Sequence, residues 1–222
     1  MRFFLFISTI FIFTTSCLKP THNNPDFQYE YFPVEIGSWL EYEVVDITHT
    51  SSGSDTLNYF LKEVKTNEFI DNEGEVSQRL ERYWKFEIDD EYVVKDIWYS
   101  KITNTTAEKV EENKRYTKLI FPIKFGAYWD GNAYNSFVEW EYEYDSINEP
   151  YMINGISFDS TLKVVQRDVL TAVEYEDCHE IYAKHVGMIY KKFIVLNINL
   201  FNILDINEGT ELEMRLIDFG HD

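Results

Sequence analysis

Between residues 137 and 145 apolar and acidic positions alternate. Val138, Trp140, Tyr142 and Tyr144 fall on one side, and Glu139, Glu141 and Glu143 on the other. A period of two predicts a strand with one buried and one wet face. Shorter stretches repeat it: Leu40, Tyr42 and Val44 against Glu41 and Glu43, then Leu57, Tyr59 and Leu61 within 56–65. Leu162, Val164 and Gln166 share one side of a strand at 160–169. Leu80, Trp84, Phe86 and Ile88 share a face on which Arg82 is out of pattern. Strands are also expected at 92–103, 116–121, 180–184, 188–200 and 211–219, with 170–177 a short helix or a loop. Asp71-Asn72-Glu73-Gly74, Asp89-Asp90-Glu91 and Asn207-Glu208-Gly209 supply turn residues between them. No segment sustains a helical period. The chain is therefore mainly β: an antiparallel curved sheet, a half-barrel or a barrel-like sandwich, with little helix.

One pattern occurs twice. Phe32-Pro33-Val34-Glu35-Ile36-Gly37 precedes Trp39, and Phe121-Pro122-Ile123-Lys124-Phe125-Gly126 precedes Trp129. Proline ends a ladder and glycine permits a left-handed turn, so each copy reads as a turn that starts a strand. The single β domain expected at 31–222 then has two related halves, 31–120 and 121–222, or the two copies are a chance likeness.

The first residues follow another pattern. Arg2, an apolar run from Phe3 to Phe13 and the small residues Thr14, Thr15 and Ser16 make a signal peptide over 1–16. The run is shorter than the ~20 residues a membrane span needs. Cys17 follows directly, an arrangement that resembles the lipobox of bacterial lipoproteins, with Thr14 where leucine is usual. Lipidation of Cys17 is expected. Several acyl chains, at about 0.8 kcal/mol per buried CH₂, hold a protein stably on a membrane. Residues 17–30, polar and proline-containing, read as the tether.

Composition adds three limits. Aromatic residues make up 17% of the chain, enough for a sizeable core. The formal net charge of −19 excludes nucleic acid as a natural partner, because phosphate backbones would be repelled. There are two cysteines, so with Cys17 acylated Cys178 has no disulfide partner and reads as a small buried hydrophobe.

Candidate chemistry is sparse. Cys178 and His179 supply too few ligands for zinc. His179 and His185 would stand about 20 Å apart along one strand at ~3.3 Å per residue. Residues 205–211 carry oxygen ligands and a glycine but are too short for a calcium loop of the EF-hand kind, and read as a hairpin turn. Neither a nucleophile elbow nor a phosphate loop is present. Glu139, Glu141 and Glu143 read as a solvated outer face. Three short Asp-Ser/Thr patterns, at Asp55, Asp145 and Asp159, resemble the O-glycan acceptors of some bacteria. No catalytic residue, metal or cofactor is expected.

The Cys17 lipobox, the opening at 32–44, the block at 118–135 and the block at 180–192 together resemble a family of small lipoproteins of Bacteroidetes-type bacteria. The resemblance implies a lipid-anchored envelope protein and brings no established activity. A looser likeness, of fold alone, is to the open β half-barrels that carry lipoproteins across the periplasm. The expected function is a non-catalytic binding or carrier module for a hydrophobic or glycan ligand. Its partner membrane would be the outer membrane, periplasmic face, reached through the lipid anchor. Trp84, Trp98, Val138, Trp140 and Tyr142 are the candidate ligand-binding residues, unless the tryptophans simply fill the core. The alternative is an assembly lipoprotein that docks an envelope protein along a bare strand edge.

Overall fold

The computed structural model describes residues 26–222. The expected signal peptide, Cys17 and the first part of the expected tether lie outside them. A 3₁₀ turn at Tyr29–Tyr31 precedes twelve strands. The first six are β1 (Ser38–Thr50), β2 (Gly53–Ile70), β3 (Val76–Lys85), β4 (Val93–Ile102), β5 (Thr106–Glu111) and β6 (Lys114–Ile120). The second six are β7 (Tyr128–Asp130), β8 (Glu141–Ile153), β9 (Ile156–Leu170), β10 (Glu174–Ala183), β11 (Gly187–Asn199) and β12 (Asn202–His221). Every paired neighbour is antiparallel, and β1 pairs with β12, so two six-strand meanders join into one sheet nearly closed as a barrel.

Each Phe-Pro segment stands just before the first strand of a meander. The Gly37 N–H donates to Lys65 O at 2.8 Å, and the Gly126 N–H to Tyr144 O at 3.2 Å. In both cases the acceptor lies on the second strand of that meander, β2 or β8.

The remaining seam lies between β6 and β7 and has no strand ladder. Its backbone groups are held instead by single bonds from the other side. The Thr117 N–H donates to Gly131 O at 3.0 Å. Trp129 Nε1 donates to Thr117 O at 2.9 Å and Asn135 Nδ2 to Arg115 O at 2.9 Å. The Tyr144 hydroxyl donates to Ile120 O at 2.7 Å and accepts from the Ile120 N–H at 2.8 Å.

The two ends of the barrel differ. One carries residues 26–37 and 121–127, tied down where the His185 N–H donates to Glu30 O and the Tyr29 hydroxyl to Asn104 O. Tyr31, Phe32, Leu119, Phe121, Trp129 and Tyr182 pack there into an aromatic plug. The other end carries the β1–β2, β3–β4, β5–β6, β9–β10 and β11–β12 turns and the loop 131–140. It is open.

Several sequence expectations need correction. The strand expected at 137–145 begins only at Glu141. Side chains satisfy the backbone before it: Asp130 Oδ1 accepts the N–H groups of Asn132 and Trp140, and Asn132 Nδ2 donates to Val138 O. Such local bonds compete with a ladder. The strand also runs on past Asp145 to Ile153 and turns at Asn154-Gly155, both at positive φ.

Residues 170–177 are neither helix nor long loop. They end β9, turn through 171–173 and begin β10, with Thr171 Oγ1 taking the N–H groups of Val173 and Glu174. Asn207-Glu208-Gly209 is not a turn but lies inside β12. A Cβ at Gly209 would fall 2.3 Å from Val195 O, so the glycine serves close strand approach. The turn is Leu200-Phe201, both at positive φ. Phe86 and Ile88 lie beyond β3 and are exposed. Arg82 is buried in the barrel, as Leu80 is.

Candidate functional site: a cavity at the open end

Buried apolar residues such as Tyr42, Val44 and Leu61 share the interior with charged ones, which begin beside the plug. Arg82 donates to Glu63 at 2.9 Å and to Asp96 at 2.9 Å, and Lys109 Nζ reaches Glu63 at 3.1 Å. Burial alone would raise the Glu63 carboxyl, but Lys109 and Arg82 outweigh it and hold it low. Beside them lies a water-sized void of about 50 Å³, lined in part by Lys65, Ser100 and Lys118. Lys65 Nζ has one hydrogen bond, to Ser38 Oγ at 3.3 Å. Burial drops its ammonium pKa to about 8, against the opposing pull of Glu63.

A second charged group follows toward the open end. Lys118 Nζ, on β6, lies 2.7 Å from Glu180 Oε1 on β10 and 3.4 Å from Glu111 Oε1 on β5. Lys191 Nζ is 3.5 Å from Glu180 Oε1, and the Tyr182 hydroxyl donates to Glu180 Oε2 at 2.5 Å. Burial opposes the charges of Glu111, Lys118 and Glu180. Lys118 and Lys191 nonetheless outweigh it at Glu180, bringing its pKa down to about 2, and hold Glu111 well below the carboxylate range. Glu111 and Glu180 in turn keep Lys118 protonated, above its ordinary value.

Above this floor a cavity of about 640 Å³ opens. That lies within the ~300–1,000 Å³ of small-molecule sites. Tyr116, Trp140, Tyr142, Phe193 and Leu212 form its wall, and Phe137 and Val138 its rim. Trp140 stacks on Phe193, ring centroids 6.0 Å apart. Gly131 starts the rim loop because a Cβ there would lie 2.3 Å from the Tyr142 ring. Glu111, Lys118, Gln166 and Lys191 face the same space from below.

Of the sequence-based candidates, Val138, Trp140 and Tyr142 come together here. Trp84 and Trp98 do not line the cavity. Trp84 packs edge-on against Tyr59, and Trp98 lies over the Arg82 guanidinium at 3.5 Å and donates to Glu112. Trp39 stacks under Lys62, and Trp129 belongs to the plug. The five tryptophans are thus dispersed rather than gathered in one pocket. Glu139, Glu141 and Glu143 are exposed.

Of the polar floor, the sequence placed only Gln166 on the inward face, with Leu162 and Val164; Glu111, Lys118, Glu180 and Lys191 were missed. The available signal was charge in the phase of inward-facing aromatic residues: Lys118 with Tyr116, Glu180 with Tyr182, Lys191 with Phe193.

Cys178 is buried, its Sγ 3.4 Å from Ile194 O, and burial pushes its thiol pKa up to about 12. His185 sits at the β10–β11 turn with φ 64°, at the plugged end. Among the described residues no group of three or more His, Cys, Asp or Glu side chains is placed to hold a metal ion. Residues 205–211 are part of β12, where 209–211 pair with both β1 and β11 and Ile206 and Glu208 pair with β11, so they form no loop for calcium.

No family model, curated protein or solved structure matches this chain.

Proposed function

We propose that this protein is a lipid-anchored envelope protein that binds a hydrophobic ligand in the open-end cavity, as a non-catalytic binding or carrier module. The observation that carries the reading is the 640 Å³ space itself, with its aromatic wall and its mouth at the end opposite residues 26–37. An acyl anchor on Cys17 would set the plugged end toward the membrane and leave the mouth accessible. The outer membrane, periplasmic face, is the location this reading favours.

The paired floor argues against catalysis. A general acid needs a carboxyl raised toward neutrality, whereas Glu111 and Glu180 are held low by lysines. Docking of a partner strand is less supported. The β6 edge, where such a strand would add, already has its groups bonded by Gly131, Trp129, Asn135 and Tyr144.

Two experiments test the reading. Titration of residues 26–222 with Nile red should saturate at one dye per chain, and Leu212→Trp, which fills the cavity, should abolish it. Binding that never saturates, or that survives the filling, refutes the site. Separately, Cys17→Ser should abolish labelling by a clickable fatty acid and release the protein from membranes; undiminished labelling refutes the anchor.

A further inference from the structure

The floor of the cavity has unmet hydrogen-bonding needs of two kinds, and they restrict the ligand bound there; this rests on the reading above. Gln166 is 2% exposed, and its Nε2 has no hydrogen-bond partner. A buried donor left unpaired is costly, so this amide calls for an acceptor. Lys191 calls for one too. Its carboxylate neighbour, Glu180, stands 3.5 Å away and already accepts from Lys118 at 2.7 Å and from Tyr182 at 2.5 Å. Glu111 has the opposite need. Its nearest cation, Lys118, is 3.4 Å away, beyond the ~2.7–3.2 Å of a good hydrogen bond, so lone pairs remain for a donor.

Charge narrows the head group further. Lys118 and Lys191 balance Glu111 and Glu180, so the floor is neutral as a set. A charged head would add an uncompensated charge beside buried groups, which is costly. An anion would also approach against a net charge of −19.

We propose that the cavity takes a neutral, hydroxylated amphiphile. A carbonyl or ether oxygen of the head accepts from Gln166 Nε2 and Lys191, and a hydroxyl donates to Glu111. The apolar tail runs along Trp140 and Phe193 and leaves past Phe137 and Val138. Acylglycerols and glycolipids with one chain share this chemistry.

The test is displacement of Nile red from residues 26–222, which hold every strand of the barrel. Four probes of matched chain length are compared below their micelle concentrations: a monoacylglycerol, an alkyl glucoside, a fatty acid and an alkylamine. At least one neutral probe should displace the dye at a concentration about tenfold below both charged probes. Gln166→Leu should erase that lead. Glu111→Gln, which removes a negative charge and keeps the shape, should improve the fatty acid relative to the neutral probes. A fatty acid or amine that matches the neutral probes overturns the proposal, as does a neutral lead that persists in both variants. If Nile red binds and no probe displaces it, this inference fails while the cavity reading stands. If Nile red does not bind at all, both fail.

Discussion

Lys118 Nζ and Glu180 Oε1, 62 residues apart in sequence, meet at 2.7 Å inside the barrel, with side chains 4% and 0% exposed. The pair joins β6, last strand of the first meander, to β10 in the second, across the side of the barrel that has the open seam. Breaking a buried pair from one side leaves a bare charge, at a cost of about 3–5 kcal/mol. Lys118→Met should destabilise toward the lower end of that range, since Lys191 still faces Glu180. The double variant Lys118→Met/Glu180→Gln should recover most of the loss, because Lys191 and Glu111 remain as a balanced pair. Urea denaturation of the singles and the double measures this; simple additivity would mean the two groups are not coupled.

Acid should unfold the barrel through the same groups. Glu180 titrates near 2 in the folded protein against an ordinary 4.5, and Glu111 and Glu63 are lowered as well. A depressed carboxyl means that the unfolded chain binds protons first as pH falls. The stabilisation is complete above about pH 4.5 and is lost progressively toward pH 2. Glu180→Gln should flatten part of this slope in denaturation curves taken across that window.

Lys65 has the opposite sense. Its folded pKa of about 8 lies below the ordinary 10.5, so it is the unfolded chain that holds the proton more tightly. Its contribution is unfavourable below pH 8, and stability should rise from about pH 8 toward 10.5 as the folded lysine sheds its proton. Lys65→Met should be more stable than the parent at pH 7 and lose the alkaline rise. An equally steep rise in that variant would assign it to other groups.

Tyr144→Phe tests the seam. It removes the hydroxyl that both donates to and accepts from Ile120, leaving two backbone groups without that partner. A loss of about 1–3 kcal/mol is expected, with faster exchange of the Ile120 amide. Unchanged exchange at Ile120 would show that this bond does not close the seam.

Much of the sheet was legible because its strands alternate apolar and polar residues. Tyr42, Tyr59, Leu162 and Val164 announce their faces, and the two Phe-Pro segments lie just ahead of β1 and β7. What was not legible has one main cause: part of this barrel's interior is charged. β5 passes unread because Lys109 and Glu111 face inward, and Arg82 looks like an interruption for the same reason. A hydrophobic pattern cannot mark such positions, and only the fold brings Lys118, Glu180 and Lys191 together. The rim was half-legible. Val138, Trp140 and Tyr142 read as one face of a strand, yet Val138 and Trp140 come to the cavity on a loop held by Asp130 and Asn132.

The central claim is that the open-end cavity holds a small amphiphile in the cell. The most direct measurement is native mass spectrometry of the protein purified from its own cells, under conditions that retain bound small molecules, beside its Leu212→Trp variant. The account predicts one adduct per chain, a neutral species with one apolar tail, present in the parent and absent when the tryptophan fills the cavity. A bare chain in the parent spectrum, or the same adduct on both proteins, would contradict it.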